Sequence, residues 1–109
     1  SGAAKFADGP NLSPERFRDL PEEVQILDVR QPSEHRAAAL PRSILIPLDQ
    51  LPARLFELDR ARPVAVYCHH GSRSFMALRF LQQAGFAQVA HLAGGIAAYS
   101  RIDPSIPTY

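Results

Sequence analysis

The segment from Pro63 to Ser74 constrains the fold more than any other stretch of the chain. Val64-Ala65-Val66-Tyr67 is a short apolar, β-branched run, the pattern of a strand buried on both faces. It leads straight into Cys68 and then His69-His70-Gly71-Ser72-Arg73-Ser74, after which a helical apolar pattern begins at Phe75. Strand, tight loop and helix in that order belong to a parallel sheet with crossover helices. Open sheets of that kind place their ligands outside the carboxyl ends of the strands, which is where Cys68 falls. Inward-pointing backbone N–H groups and the partial positive charge of a helix N-terminus both favour thiolate over thiol, and the thiolate is the nucleophile.

The spacing restricts the chemistry further. Gly71 lets the loop turn with positive φ and lets its backbone approach a small anion. Arg73 supplies a cation that can close the ring. Ser72 and Ser74 can donate hydroxyl hydrogen bonds to an anionic sulfur or cap the helix that starts there. His69 and His70 form a rim, because side chains point outward where backbone donors point in, and an imidazolium there would favour the thiolate. Two adjacent histidines do not converge on one metal with Cys68, and no Cys or Asp cluster completes a tetrahedral set, so no metal is expected. The competing reading of Cys68 is a buried cysteine packing as a small hydrophobe.

Strands and helices alternate along the rest of the chain. Ser13 caps a helix with Pro14 at its first position, Phe17 and Leu20 on its apolar face and Pro21 at its end. A strand is expected over 24–29, a short helix over 33–39 and a second strand over 44–46. Leu48, Leu51, Leu55 and Leu58 recur at spacings of three and four, which predicts an amphipathic helix starting near Gln50 or Leu51, with Pro52 in its first turn. A helix over 72–84 capped by Gly85, a strand over 89–92 and a short helix from Gly94-Gly95 to about Arg101 follow. The two glycines read as a close backbone turn. His35 and His91 are isolated, and His91 reads as a satisfied core or edge residue. The tail from Ile102 to Tyr109 is irregular. Residues 1–12 form an N-terminal extension with a short edge strand, in which Ser1-Gly2 reads as a cleavage scar, and residues 13–109 form a single domain. The fold class is α/β, a mostly parallel five-stranded sheet with helices on both faces.

Composition narrows the function classes. A length of 109 residues suits one domain with a real core. A net charge of +1 without a Lys/Arg run offers no field for nucleic acid. One cysteine excludes an internal disulfide framework and fits a reducing compartment, so a cytoplasmic location is expected. No apolar run approaches the roughly 20 residues needed to span a membrane.

Four ordered segments resemble the rhodanese-like domains, single α/β units that carry sulfur on a cysteine persulfide. They are Leu27-Asp28-Val29-Arg30 with Glu34, Ile44-Leu45-Ile46-Pro47-Leu48, Tyr67-Cys68-His69-His70-Gly71-Ser72-Arg73-Ser74, and Leu92-Ala93-Gly94-Gly95-Ile96-Ala97-Ala98-Tyr99. The resemblance covers the chain from about Ser13 onward. It implies a sulfurtransferase in which Cys68 takes a sulfane sulfur from thiosulfate or a persulfide and passes it to a thiol, cyanide or an acceptor protein. It implies a monomer, and no cofactor beyond the covalent persulfide. It places Asp28 behind the loop and Arg30 beside it, although Arg30 can instead pair with Glu34 and simply fix the following turn. The alternatives are a rhodanese-like interaction or sulfur-relay module, and a cysteine phosphatase or arsenate reductase, whose loops have one more residue between Cys and Arg. Three departures from the family pattern matter. Ala39-Leu40-Pro41-Arg42-Ser43 replaces His-Ile-Pro-Gly-Ala, so the turn is expected to use ordinary φ. Tyr99 replaces a tryptophan. His69 stands where thiosulfate-using members often carry Arg or Lys, which implies weak use of thiosulfate.

Overall fold

The structure, a computed structural model, describes residue 6 and residues 9–109, and Ser1-Gly2 lies outside them. Five strands, β1 (Asn11–Leu12), β2 (Gln25–Asp28), β3 (Ile44–Leu45), β4 (Val64–Tyr67) and β5 (Val89–Leu92), form one sheet in the order β1-β5-β4-β2-β3. Every pairing is parallel. The helices are α1 (Pro14–Arg18), α2 (Pro32–Ala37), α3 (Ser72–Gln83) and α4 (Gly95–Tyr99). β1 lies in the N-terminal segment where a short edge strand is expected; it pairs with β5 at one edge of the sheet and buries Leu12.

The three central strands are buried on both faces, and this splits the core into two layers. One holds Phe17, Ile26, Ala65, Tyr67, Leu92, Ile96 and Tyr99, under α1 and α4. The other holds Leu27, Val64, Val66, Cys68, Ala77, Leu78 and Leu81, under α3. Consecutive residues of β4 alternate between the layers, as the period of two in a strand requires. After β2 the chain moves outward to β3, whereas after β4 it moves the opposite way to β5. The direction of winding therefore reverses between β2 and β4, which opens a crevice at their carboxyl ends. Asp28 and Tyr67 are register partners at those ends, and Cys68 follows directly.

Local chemistry accounts for most boundaries. The Ser13 side chain accepts the Arg16 N–H at 3.2 Å, capping α1 as expected. α2 starts one residue earlier than expected, at Pro32, with Gln31 as its cap and Glu34 accepting the Gln31 N–H at 3.0 Å.

Two expectations fail. The segment 48–58 is not an amphipathic α-helix but two 3-10 turns, Leu48–Gln50 and Pro52–Glu57, with Arg54 at φ −118° breaking the second. Pro52 donates no N–H, and spacings of three between leucines fit three residues per turn as well as 3.6. Leu51 and Leu58 are still buried, so the burial pattern was right and the winding wrong. The turn at 41–43 does not use ordinary φ either, because Arg42 takes φ +55° where the family pattern has glycine. Its guanidinium donates to the carbonyls of Val24 at 2.6 Å, Pro21 at 2.9 Å and Glu22 at 3.3 Å, which holds the left-handed residue in place.

Candidate active site

Cys68 leaves the end of β4 with its side chain fully buried. Its Sγ accepts two backbone N–H bonds, from Gly71 at 3.1 Å and Ser74 at 3.3 Å. Gly71 makes this possible by taking φ +116° at the start of α3, so that the loop folds back over the sulfur. Of the six loop residues expected to surround the sulfur, Gly71 and Ser74 bond it. Ser72 is exposed at the first position of α3 and caps nothing, since the N-cap is Gly71 with no side-chain bond.

The loop is pressed from behind by α4. Gly95 adopts φ +66°, and a Cβ there would collide with the His69 carbonyl group and stand 2.7 Å from the Cys68 carbonyl oxygen. With glycine, the N–H groups of Ile96 and Ala97 reach the carbonyls of Cys68 at 2.8 Å and His69 at 3.1 Å. The two carbonyls leaving the strand are thus satisfied, and the N–H groups of 71 and 74 are left to face the sulfur. This is the close turn expected of Gly94-Gly95, with a consequence for the site.

His91 is not isolated. It lies on β5, 5% exposed, with Nδ1 at 2.8 Å from Ser74 Oγ and Nε2 at 2.9 Å from Asn11 Oδ1. Ser74 Oγ in turn lies 3.5 Å from Cys68 Sγ. Burial lowers the proton affinity of His91 and keeps the ring neutral.

Asp28 and Arg30 do not reach the sulfur. They form a fully buried ion pair, with Arg30 Nη2 at 2.7 Å from Asp28 Oδ2 and Nε at 2.8 Å from Oδ1. Tyr67 donates its hydroxyl to Asp28 Oδ2 at 3.1 Å, and His35 Nδ1 lies 2.8 Å from the same oxygen. Burial pushes the Tyr67 hydroxyl up to about 12. Burial opposes the charge on Arg30, but its bonds to Asp28 and Tyr109 outweigh this and hold the guanidinium protonated beyond its ordinary range. The alternative pairing of Arg30 with the Glu34 carboxylate is absent: Arg30 meets only the Glu34 carbonyl, at 3.4 Å. The Glu34 carboxylate grips Arg73 instead, at 2.7 and 3.0 Å. Arg73 holds the Glu34 carboxyl down at about 2. The loop's cation is therefore already matched by an anion.

The rim is aromatic. His69 stacks on His70 with ring centroids 4.0 Å apart and on Tyr109 at 4.2 Å. The Tyr109 hydroxyl sits between Arg30 Nη1 at 2.6 Å and Glu34 Oε2 at 3.0 Å. Burial, with the neighbouring His70 second, lowers the proton affinity of His69. Beside the rim lies a cavity of about 290 Å³ lined by both histidines, Ile96, Ala97, Arg101 and Tyr109, among others. Among the described residues, no group of three or more His, Cys, Asp or Glu is placed to hold a metal, and no helix is long and apolar enough to cross a membrane.

The sequence singles out the loop from Cys68 to Ser74 and names Glu34 only as a partner for Arg30, whereas the structure pairs Glu34 with Arg73. Asn11, His91 and Tyr109 give no local sign of their place beside the loop, and Gly95 gives one as a paired glycine following a strand.

Comparison with known proteins gives a consistent picture. The model of the Rhodanese-like domain family matches residues 13–102. A sulfurtransferase of Allochromatium vinosum is 36% identical over 94 residues, covering 86% of each chain. A chloroplastic rhodanese-like/PpiC domain-containing protein of Arabidopsis thaliana is 41% identical over 93 residues, 81% of this chain but only 31% of that longer protein. Among solved structures, a rhodanese-related protein of Thermoplasma volcanium superimposes with a TM-score of 0.79 at 30% identity, covering 85% of this chain and 92% of that one.

Proposed function

The chain belongs to the rhodanese-like domain family, and from that premise we propose that it transfers sulfane sulfur through a persulfide on Cys68. The observation that carries this reading is the pair of N–H bonds from Gly71 and Ser74 onto one sulfur at the start of α3. Two donors aimed at a sulfur stabilise negative charge there before any substrate arrives. The loop closes around a single atom, and Arg73 is engaged with Glu34 rather than free to bind the oxygens of a phosphate.

In the first half-reaction the Cys68 thiolate attacks the outer sulfur of the donor. A new S–S bond forms, the donor's own bond to that sulfur breaks, and the bonding electrons leave with sulfite or with a thiolate. The terminal sulfur of the persulfide then carries the negative charge. In the second half-reaction an acceptor thiolate, or cyanide in vitro, attacks that terminal sulfur, and Cys68 departs as thiolate. The cysteine itself carries the group, so the cycle uses no cofactor.

The donor class follows from charge. Thiosulfate is a dianion, but Arg73 is paired and His69 is held neutral by its surroundings. A persulfide donor, with less charge to neutralise, suits this rim better. The acceptor thiol, on a small molecule or on a protein, docks in the cavity beside His69, His70 and Tyr109.

Mass spectrometry tests the proposal. Incubation with a persulfide donor or thiosulfate should add one sulfur atom, removable by cyanide or dithiothreitol, and Cys68→Ser should take up none. A wild-type mass unchanged by thiosulfate, polysulfide and a persulfide donor overturns it.

A further inference from the structure

Resting on that reading, we propose that His91 takes up the thiol proton of Cys68 through the hydroxyl of Ser74, as a positioning residue that keeps the nucleophile ionised. The two ends are parts of different strands, Cys68 after β4 and His91 within β5, and Ser74 at the start of α3 bridges them.

Hydrogen-bond polarity sets the direction of the chain. Asn11 Oδ1 is a carbonyl oxygen and only accepts, so the His91 nitrogen 2.9 Å away, Nε2, carries a proton. A neutral ring then has a bare Nδ1. Ser74 Oγ, at 2.8 Å, donates to it. The lone pairs of Ser74 Oγ are left facing the Cys68 thiol, which donates across 3.5 Å. The Gly71 carbonyl, which receives the Phe75 N–H at 3.0 Å, is a second acceptor 3.1 Å from the Ser74 hydroxyl, and the shorter 2.8 Å contact to His91 Nδ1 takes its single proton. Cys68 Sγ–H, Ser74 Oγ–H, His91 Nδ1 and Nε2–H, and Asn11 Oδ1 thus form one directed chain.

Proton movement along it is balanced. The S–H bond breaks and its proton joins Ser74 Oγ, while the Ser74 hydroxyl proton moves to His91 Nδ1. Thiol and imidazole become thiolate and imidazolium, with no electron transfer and no change in net charge. The hydroxyl now points at the sulfur and donates to it, joining the N–H groups of Gly71 and Ser74. The two new charges lie inside one buried cluster, so their attraction offsets a desolvation cost that either would meet alone. Burial leaves His91 Nδ1 bare at rest and by itself opposes its protonation, so the ring takes the proton only as the thiolate forms beside it. Asn11 fixes the tautomer from the far side of the ring, as a carbonyl partner does for a metal-ligating or catalytic histidine.

Few other charges face this cluster. From α3 comes Arg73, which acts on the Cys68 sulfur but is paired with Glu34 of α2. The loop contributes His69 and His70, stacked on one another at the rim. The β1 neighbour is the neutral Asn11, and the Phe75 ring lies against the imidazole with centroids 5.8 Å apart.

The experiment measures alkylation of Cys68 by iodoacetamide from about pH 5.5 to 9.5 in wild type, Ser74→Ala and His91→Gln. At about pH 6.5 both variants should react about tenfold more slowly than wild type, the effect of one unit of proton affinity. At about pH 9.5 all three should converge, because hydroxide then removes the proton without an internal base. Equal rates at low pH overturn the relay, and so does a deficit of the same size at every pH, which would mark a merely structural role. A second arm uses the wild-type histidine and does not depend on altering β5. The 15N signals of the His91 ring are titrated in wild type and Cys68→Ala. Linkage is reciprocal, so removing the thiol should lower the pH at which Nδ1 becomes protonated. Identical titrations of His91 in the two proteins overturn the proposal even if the first arm is lost to misfolding. Neither arm reads sulfur transfer, so failure of the relay and failure of the transferase reading remain separable.

Discussion

Substituting Gly95 with alanine tests whether α4 builds the cysteine loop or merely follows it. The added Cβ would land on the His69 carbonyl group and 2.7 Å from the Cys68 carbonyl oxygen. Both neighbours are backbone, so neither can swing aside as a side chain would. Alanine at φ +66° costs about 1–2 kcal/mol for the left-handed conformation alone. Relieving the overlap requires the start of α4 to move away, which opens the bonds from Ile96 N–H to Cys68 and from Ala97 N–H to His69. Each is worth about 1 kcal/mol net, and more where the abandoned carbonyl stays buried. Alanine also restricts the unfolded chain, which returns about 0.4–1 kcal/mol. The balance is a loss of roughly 2–4 kcal/mol, against a total of about 5–15 kcal/mol for a domain of this kind. Urea unfolding of wild type and Gly95→Ala, followed by circular dichroism, measures it. Alkylation of Cys68 should change as well, because the N–H groups that face the sulfur lose their backing. A stability loss below about 1 kcal/mol with unchanged alkylation would show that α4 does not position the loop.

Two further outcomes follow from the charges at the rim. His69→Arg should raise thiosulfate efficiency at about pH 8 by several-fold at most, because an exposed charge contributes on the order of 1 kcal/mol or less. In wild type any acid-side gain should begin below the usual imidazole range, since burial and His70 lower the proton affinity of His69; unchanged or lower thiosulfate efficiency in the folded variant would refute the rim-charge account. Glu34→Gln tests the Arg73 pair. The folded carboxyl titrates near 2, below its ordinary 4.5, so its stabilising contribution is complete above that ordinary value and fades as pH falls toward 2. Thermal melts should therefore show a gap between wild type and Glu34→Gln at neutral pH that closes across that acid window. A gap of constant size would mean that the ion pair does not stabilise the fold.

The parts of this molecule that were legible in the sequence are those governed by near neighbours in the chain. β4 was readable because four consecutive residues are apolar, and α3 because its apolar period starts right after a glycine-bearing loop. Cys68 was readable because it sits at the junction. The 48–58 segment misled because a leucine spacing of three serves a 3-10 turn and an α-helix alike, and only Pro52 argued locally for the former. At Arg42 the loss of a glycine looked like the loss of positive φ. Three carbonyls at 21, 22 and 24, gathered by the fold, hold the arginine in that conformation instead.

Pairing among charged and polar groups was the least legible, for a geometric reason. Arg30 and Glu34 are four residues apart, a natural local pair, yet just past the end of β2 Arg30 turns back onto Asp28, while α2 carries the Glu34 carboxylate toward Arg73, 39 residues away. The choice is made by burial. Asp28 and Arg30 both lose all solvent, and an unpaired charge at either position would be costly, so the two compensate each other. Glu34 stays near the surface and is free to meet the loop's cation. The same logic applies to His91, whose partners lie 17 and 80 residues away and come together only once β1 adds to the sheet edge beside β5. A lone histidine in an otherwise apolar, fully buried strand gives no sign of this. What turns it from a core residue into a candidate partner of the nucleophile is the parallel register that sets Asn11 opposite His91, together with the turn at Gly71 that brings Ser74 over Cys68. The cluster around Cys68 is thus an outcome of sheet order, assembled from β1, β5, the end of β4 and the start of α3 out of side chains that local sequence leaves unconnected.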